Sequence, residues 1–374
     1  GHNHPRLAND EFIQKLGKVA LNNVTNSDLY TVEMAEFVAK FSGFGIPEYL
    51  PHLFMVAGGG LAVENTLKTA MDWKVQKNYQ KGYTRELGHQ VIHFAEAFHG
   101  RTGYTLSLTN TNDPRKHKWF AKFNWPRVLN PKVKFPLNEE NLAEVKKAEN
   151  LALSQIKMAI KERGDDICAL IIEPIQGEGG DNHFRPDFFR NLRQVCDENE
   201  IFLIYDEVQT GVGMTGKFWC HQHFDGGEPD AIAFGKKSQV CGILVGKRVE
   251  EADRHVFKES SRLNSTWGGN LIDMVRFHRY LDIIQEENLI ENAAKQGDYL
   301  LKGLQKVAEE NSDKISNARG RGLMIAFDFC CGEHRDKFPD IAMKNGLAVL
   351  PCGPKSIRFR PPVNVSREEC DQAL

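Results

Sequence analysis

The segment that decides the fold is Asp230-Ala231-Ile232-Ala233-Phe234-Gly235-Lys236, a short apolar run that ends in glycine and lysine. A run of this length between turn residues is typical of a buried strand. A lysine at the end of such a strand loses hydration, which lowers the pKa of its amine and makes it a nucleophile or a Schiff-base former. Most lysines are solvated loop residues instead, so this segment alone leaves both interpretations open.

Two other apolar runs also end in chemically active residues. Cys168–Ile172 is followed by Glu173, and Ile201–Tyr205 is followed by Asp206. Near-continuous apolar strands are typical of a parallel sheet covered on both faces, and ligands bind outside the carboxyl ends of such strands. The two carboxylates therefore indicate one shared site. They suit a Mg²⁺ ion or an organic cofactor, and a carboxylate at such a position can also simply cap a helix.

A glycine-rich turn, Gly58-Gly59-Gly60, lies between the predicted strand His52–Val56 and a predicted helix that begins at Leu61. Free N–H groups and the helix dipole make such a helix start a site for phosphate. A tight turn that needs positive φ is the alternative interpretation.

A second glycine-containing segment, Gly211–Lys217, matches the G-x-x-x-x-G-K pattern of a P-loop. The next residue of a P-loop supplies a hydroxyl to Mg²⁺, and here that residue is Phe218. A P-loop ATPase is therefore only a remote alternative.

The alternation of strands and helices predicts an α/β fold with a mainly parallel central sheet flanked by helices. After about Gly269 the pattern changes to long helical stretches over 270–309, followed by short strands that include Ala348–Leu350. This change predicts a second, smaller α+β domain. We expect a large domain over residues 21–265 and a small domain formed by 1–20 and 266–374.

Composition excludes several classes of protein. The 374 residues include 48 Lys and Arg against 50 Asp and Glu, a formal net charge of −2, and a nucleic-acid-binding protein usually has a basic excess. No apolar run reaches the roughly 20 residues of a membrane span. The eight cysteines form no C-x-x-C motif, and the adjacent Cys330-Cys331 is not a metal-ligand spacing. We therefore expect no metal and a reducing, cytoplasmic location.

Taken in order, these segments resemble the class III aminotransferases of fold type I, which depend on pyridoxal 5′-phosphate. The resemblance extends from Gly1 to Leu374 and implies that the N-terminal part of the small domain is incomplete. It rests on the glycine turn, Glu173-Pro174, Asp206-Glu207-Val208-Gln209-Thr210-Gly211, Gly235-Lys236 and Arg358-Phe359-Arg360-Pro361-Pro362. Within the family, the branch of L-lysine 6-aminotransferases is the most similar, through Ala97–Asn110, Phe234–Gly242 and Arg262–Asn270.

The resemblance implies a set of cofactor-binding residues. Lys236 would bind the cofactor covalently and then act as a general base, and Asp206 would keep the ring nitrogen protonated. Lys237 is the competing lysine. On an extended segment adjacent side chains point to opposite sides, and the family pattern selects Lys236 to face the ring. The remaining implied contacts are Gly59 and Gly60 at the phosphate, Phe98 and Val208 on the ring faces, His99 beside Phe98, Gln209 at the ring oxygen, and Thr266 at a neighbouring subunit's cofactor phosphate.

The lysine branch further implies the reaction. The 6-amino group of L-lysine would pass to 2-oxoglutarate, giving 2-aminoadipate 6-semialdehyde and L-glutamate by a ping-pong mechanism in a homodimer with its active site at the subunit interface. Arg101 would hold the distal carboxylate of both substrates. Glu178 would pair with Arg358 while lysine reacts and release it for 2-oxoglutarate; an ordinary loop carboxylate is the alternative for Glu178.

Two other functions compete with this one. Another class III ω-aminotransferase would act on ornithine, diaminobutyrate or 4-aminobutyrate. A non-catalytic paralogue would retain the fold for binding, although the presence of Lys236, Asp206 and Arg358 disfavours it.

Overall fold

The computed structural model describes residues 3–374, and within them helices and strands alternate along most of the chain. In chain order the elements are α1 (Asp10–Val19), α2 (Val32–Phe44), β1 (His52–Val56), α3 (Gly59–Gln80), β2 (Gln90–Phe94), α4 (Thr105–Leu108), β3 (Arg127–Val128), α5 (Glu139–Arg163), β4 (Ile167–Ile172), α6 (Pro186–Glu198), β5 (Phe202–Asp206), β6 (Ala231–Phe234), β7 (Cys241–Val245), α7 (Leu271–Glu286), α8 (Leu289–Glu310), β8 (Ile315–Arg321), β9 (Met324–Phe329), α9 (Gly332–Lys344), β10 (Leu350–Cys352), β11 (Ser356–Phe359) and α10 (Arg367–Ala373).

The larger sheet has seven strands in the order β1-β7-β6-β5-β4-β2-β3. Strands β2 to β6 pair in parallel, and only β7 runs against its neighbours β1 and β6. The prediction of a mainly parallel central sheet is confirmed. Strand β7 was not predicted, because it follows the lysine segment so closely that Cys241 and Gly242 resemble a continued loop.

Helices cover both faces of this sheet. Alternate residues of a strand point to opposite faces, and β4 shows the division clearly. Ala169 and Ile171 join the apolar cluster that contains the buried side chains of α3. Leu170 and Ile172 join the other cluster, which contains those of α6. Burial on both faces explains why the strand lacks polar positions.

The smaller sheet is antiparallel, in the order β10-β11-β9-β8. The helical stretches predicted over 270–309 are the helices α7 and α8, which are separated where Asn288 adopts a left-handed φ of 51°. The strand expected at Ala348–Leu350 is instead β10, two residues later. The boundaries 21 and 265 between two domains stay a prediction, and residues 1–2 of its N-terminal piece lie outside the described residues.

The P-loop hypothesis is wrong. A P-loop leads directly into an α-helix, whereas Gly211–Lys217 leads to buried Phe218 and then to the short 3₁₀ helix Cys220–His223. The segment also packs against α8, since a Cβ atom on Gly216 would lie 2.8 Å from the Cβ atom of Ala294.

None of the helices between residues 3 and 374 combines the length and the hydropathy needed to cross a lipid bilayer.

Candidate active site

The site lies at the carboxyl edge of the central sheet. Strands β4, β5 and β6 are neighbours and run parallel, so the residues that end them lie side by side. Glu173 follows β4, Asp206 is the last residue of β5, and Lys236 follows β6 by two residues. The structure therefore brings together the three strand ends that the sequence singled out.

The Asp206 carboxylate is held in a fixed position. It is buried, with 5% of its surface exposed. Its Oδ2 lies 2.9 Å from Nδ1 of His99, and its Oδ1 accepts a hydrogen bond of 3.0 Å from the N–H of Val208. Because the carboxylate accepts, Nδ1 of His99 is the protonated nitrogen. The Nε2 atom of His99 is buried without a hydrogen-bond partner among residues 3–374.

Glu173 is a second buried carboxylate next to this pair. It accepts hydrogen bonds from the N–H of Phe98 at 2.9 Å and of Gly177 at 3.1 Å. It therefore ties the loop of Phe98 to the loop of Glu178. Burial raises the pKa of Glu173 to about 7, and the nearby Asp206 charge acts in the same direction against His99. The sequence flagged Glu173 only as a strand-end carboxylate and gave it no role.

The two adjacent lysines lie in a tight turn and not in an extended segment, so the alternation argument applied to them is wrong. Lys236 has a left-handed φ of 52° and begins the 3₁₀ turn Lys236–Ser238. A non-glycine residue in this region is strained, which is common at functional sites. Within this turn the Lys237 ammonium donates a hydrogen bond to the carbonyl of Gln209. This bond holds the Lys237 amine at Gln209.

Electrostatics differ for the two amines. Desolvation lowers the pKa of Lys236, Arg358 acts in the same direction, and Asp206 and Glu173 oppose it. Lys236 still reaches solvent, so its amine is open to a reactant. Desolvation, with Arg360 and Lys236 nearby, lowers the pKa of Lys237 to about 7.

The glycine turn lies against the same edge. Helix α3 begins at Gly59 without a side-chain cap, which leaves its first N–H groups available. A Cβ atom on Gly59 would lie 2.9 Å from Cγ1 of Val208, and one on Gly60 would lie 3.4 Å from Cγ2 of Thr102. Glycine at both positions keeps the helix start close to the loops after β5 and β2.

Two residues with predicted contacts, Arg101 and Thr266, are exposed, unlike the buried Asp206 and Glu173. Arg101 is exposed, and its guanidinium carbon lies 5.8 Å from the centre of the Phe98 ring. Thr266 is also exposed, in a loop that packs on β1, since a Cβ atom on Gly268 would lie 2.3 Å from the carbonyl oxygen of Met55.

A chain of charges links the loop after β4 to the smaller sheet. Oε2 of Glu178 lies 3.1 Å from Nη1 of Arg358 on β11, and Oε1 of Glu178 contacts the ammonium of Lys116. Nε of Arg358 is buried without a hydrogen-bond partner among the described residues, and Nη1 has only the ion pair with Glu178. The sequence predicted the Glu178–Arg358 pair by resemblance but missed Lys116, which looks like an ordinary loop lysine.

One group of potential metal ligands lies elsewhere in the described part of the chain. Cys330, Cys331 and His334 place one ligand atom each within 4.8 Å of one another at the protein surface. The sequence considered the cysteine pair but not the histidine one helical turn later.

Comparison with known proteins agrees with this geometry. The profile of the family described as "Aminotransferase class-III" matches residues 1–374. The chain belongs to the class III aminotransferases. The L-lysine-epsilon aminotransferase of Mycobacterium tuberculosis is 48% identical over 375 residues, covering 100% of this chain and 82% of that protein. The protein of the same name from Streptomyces clavuligerus is 43% identical over 377 residues, covering 100% and 81%.

A solved structure is also similar to this aminotransferase. It is described as lysine aminotransferase from M. tuberculosis in the internal aldimine form, and it matches with a TM-score of 0.96 at 48% identity. The match covers 100% of this chain and 85% of that one.

Class III aminotransferases use pyridoxal 5′-phosphate, and the residues of this aminotransferase fit it. Asp206 retains acceptor capacity for a ring N–H after its bonds to His99 and Val208. The uncapped start of α3 suits the phosphate. Lys236, with a lowered pKa, suits the carbonyl carbon of the cofactor.

The raised pKa of Glu173 predicts a specific pH dependence of stability. The pKa of a glutamate is 4.5 in the unfolded chain, and burial raises the pKa of Glu173 to about 7 in the folded protein. Between pH 4.5 and pH 7 the folded state therefore binds a proton that the unfolded state has released. The contribution of Glu173 to stability is therefore greatest below pH 4.5 and is lost as pH rises through about 7. Urea unfolding from pH 5 to 8 should show wild type losing stability relative to Glu173→Gln.

The exposed Glu309→Gln is the matched control. If the difference in the free energy of unfolding between wild type and Glu173→Gln does not change with pH, the raised pKa of the Glu173 carboxyl group is contradicted.

Proposed function

We propose that this aminotransferase transfers the 6-amino group of L-lysine to 2-oxoglutarate, giving 2-aminoadipate 6-semialdehyde and L-glutamate by a ping-pong mechanism. The observation that carries the proposal is the ion pair of Glu178 with Arg358, at the side of the site where Lys236 lies. The 48% identity to an L-lysine-epsilon aminotransferase over the whole chain supports the choice of lysine.

The two proposed substrates make opposite demands on Arg358. When lysine presents its 6-amino group, its carboxylate is far from the reacting carbon, and a desolvated guanidinium there would be left without a counter-charge. Glu178 supplies that charge. When 2-oxoglutarate reacts, its 1-carboxylate adjoins the keto carbon and takes the place of Glu178. The Nε atom of Arg358, which has no hydrogen-bond partner among the described residues, and Nη1, which Glu178 would leave, are suited to this second carboxylate.

The residues at the sheet edge would do the proton chemistry. Pyridoxal phosphate, when bound, supplies an electron sink for the reacting carbon. The lowered pKa of Lys236 favours its neutral amine, which can take a proton from the substrate carbon and return it. Asp206, held by His99, stabilises a proton on the ring nitrogen. We assign the remaining roles as follows: Gly59 and Gly60 bind phosphate, Phe98 and Val208 contact the ring faces, Gln209 contacts the ring oxygen, and Arg101 binds the distal carboxylate.

A second copy of the chain would complete the site. Trp267, beside Thr266, is 52% exposed, and Leu29 and Tyr30 are 74% and 84% exposed. Oγ of Ser27 lies 3.3 Å from Oδ1 of Asn264, so these two segments are neighbours. Exposed large apolar residues in adjacent segments are typical of an interface, which supports a homodimer in which Thr266 reaches the partner's phosphate.

The cysteines support a location in the cytoplasm. All eight are free thiols, which suits a reducing compartment.

Attachment of the cofactor should depend on Lys236 alone. With pyridoxal phosphate bound, wild type should show a visible absorbance band, and borohydride should fix the cofactor covalently to Lys236, as read by mass spectrometry of peptides. Lys236→Ala should lose both signals, because the other amine of that turn, on Lys237, is bound to the carbonyl of Gln209. Lys237→Met, which removes the neighbouring amine held by Gln209, is the control and should retain them. Label on Lys237 in wild type would refute the assignment.

The donor is tested by turnover with 2-oxoglutarate, following formation of glutamate. L-Lysine should give the highest kcat/KM in a panel with L-ornithine, diaminobutyrate and 4-aminobutyrate. A difference of one methylene is worth about tenfold or more in a shaped pocket. A higher kcat/KM for any of the other three amines would assign the chain to a different ω-aminotransferase.

A further inference from the structure

Glu178 lies between two cations, and the function proposed above uses only one of them. Its Oε2 faces Arg358 at 3.1 Å, and its Oε1 contacts the ammonium of Lys116. Burial would raise the pKa of Glu178, but Lys116 and Arg358 together hold it below its ordinary value. With both cations in contact, the ionised form of Glu178 is favoured.

The backbone around Glu178 is fixed on both sides. The N–H of Gly177 donates to Glu173 at 3.1 Å. The carbonyl of Glu178 accepts a hydrogen bond of 3.0 Å from the N–H of Gly353. Any movement of the carboxylate away from Arg358 must therefore come from rotation of the Glu178 side chain, which limits how far it can travel.

There is space for that rotation on the side of Lys116. A cavity of about 340 Å³ is lined by Glu178, Lys116, Arg335 and Gly353, among others, and Arg358 does not line it. Two other cations line it. Arg335 already contacts Asp336 and the carbonyl of Gly353, and Arg115 is paired with Asp113 at 2.8 Å. Lys116 is thus the cation in this cavity that contacts Glu178.

Lys116 is itself well placed. It ends the 3₁₀ turn Pro114–Lys116, which is capped by Asp113. Its ammonium lies 3.9 Å from Oδ2 of Asp113, and its side chain is only 20% exposed. A long lysine side chain that is already immobilised loses little further entropy when it holds a carboxylate.

We propose that Lys116 is a specificity-determining residue that holds the Glu178 carboxylate when it leaves Arg358, so that Arg358 becomes free for the 1-carboxylate of 2-oxoglutarate. The proposal rests on the function proposed above, because it needs a substrate that displaces Glu178. Without Lys116, a displaced Glu178 would lie in a partly buried cavity whose other cations, Arg115 and Arg335, are already paired with Asp113 and Asp336, and an uncompensated carboxylate there is costly.

The test compares the two half-reactions by single-turnover absorbance of the bound cofactor. Lys116→Met keeps the length of the side chain and removes its charge. For enzyme carrying the amino form of the cofactor, the kcat/KM for 2-oxoglutarate should fall about fivefold, the size expected for loss of a partly exposed ion pair. The half-reaction with L-lysine should keep its rate, because Glu178 stays on Arg358 there. Lys118→Met, an exposed lysine in the same loop, is the matched control and should change neither.

The same substitution made in a Glu178→Gln variant distinguishes a role of Lys116 through Glu178 from direct binding of 2-oxoglutarate by Lys116. In Glu178→Gln, adding Lys116→Met should have no further effect, because the neutral amide needs no cation. A persistent fivefold loss there would mean that Lys116 binds 2-oxoglutarate itself and would overturn the proposal. An equal loss in both half-reactions would show a merely structural role and would also overturn it.

The half-reactions also distinguish a wrong amino donor from a wrong role for Lys116. If wild type does not react with L-lysine but its amino form reacts with 2-oxoglutarate, the proposed function fails, and the Lys116 comparison still stands on the 2-oxoglutarate half-reaction. If wild type does not react with 2-oxoglutarate either, both proposals are refuted.

Discussion

In the proposed reaction, a guanidinium close to the reacting amine has to serve one substrate that brings a carboxylate to it and another that does not. Arg358 is half-buried on β11, where an uncompensated charge is costly. The ion pair with Glu178 removes that cost without filling the site permanently. The proposed reaction requires Glu178 to be near enough to neutralise Arg358 and free enough to leave it.

The sheet provides the frame for this arrangement. Parallel strands β4, β5 and β6 fix Glu173, Asp206 and Lys236 at one edge. Glu173 also positions two loops beside the sheet, since it accepts hydrogen bonds from the N–H groups of Phe98 and Gly177. The smaller sheet supplies Arg358, and the hydrogen bond from Gly353 to Glu178 joins its loop to the loop after β4. One network therefore connects the residues proposed for the proton chemistry to those proposed to select the substrate.

The sequence predicts the frame better than the details. Strand β1 has the predicted bounds His52–Val56, and the apolar runs Cys168–Ile172 and Ile201–Tyr205 each lie within one residue of β4 and β5. The turn at Lys236 was missed because a left-handed φ at a lysine has no sequence signal. Lys116 was missed because its proposed role depends on a contact with Glu178, which lies 62 residues later in the chain. Glu173 had a signal, a Glu-Pro step after a fully buried strand, but its partners are backbone N–H groups that any sequence would provide.

The most direct test of the account is the pair of half-reactions in Arg358→Met, measured by single turnover of enzyme carrying each form of the cofactor. The variant removes the guanidinium that only 2-oxoglutarate is proposed to use. The half-reaction with 2-oxoglutarate should slow by about 100-fold, as expected for loss of one partner of a buried charge pair, while L-lysine should react within a few-fold of the wild-type rate. An equal loss in both half-reactions would contradict the account.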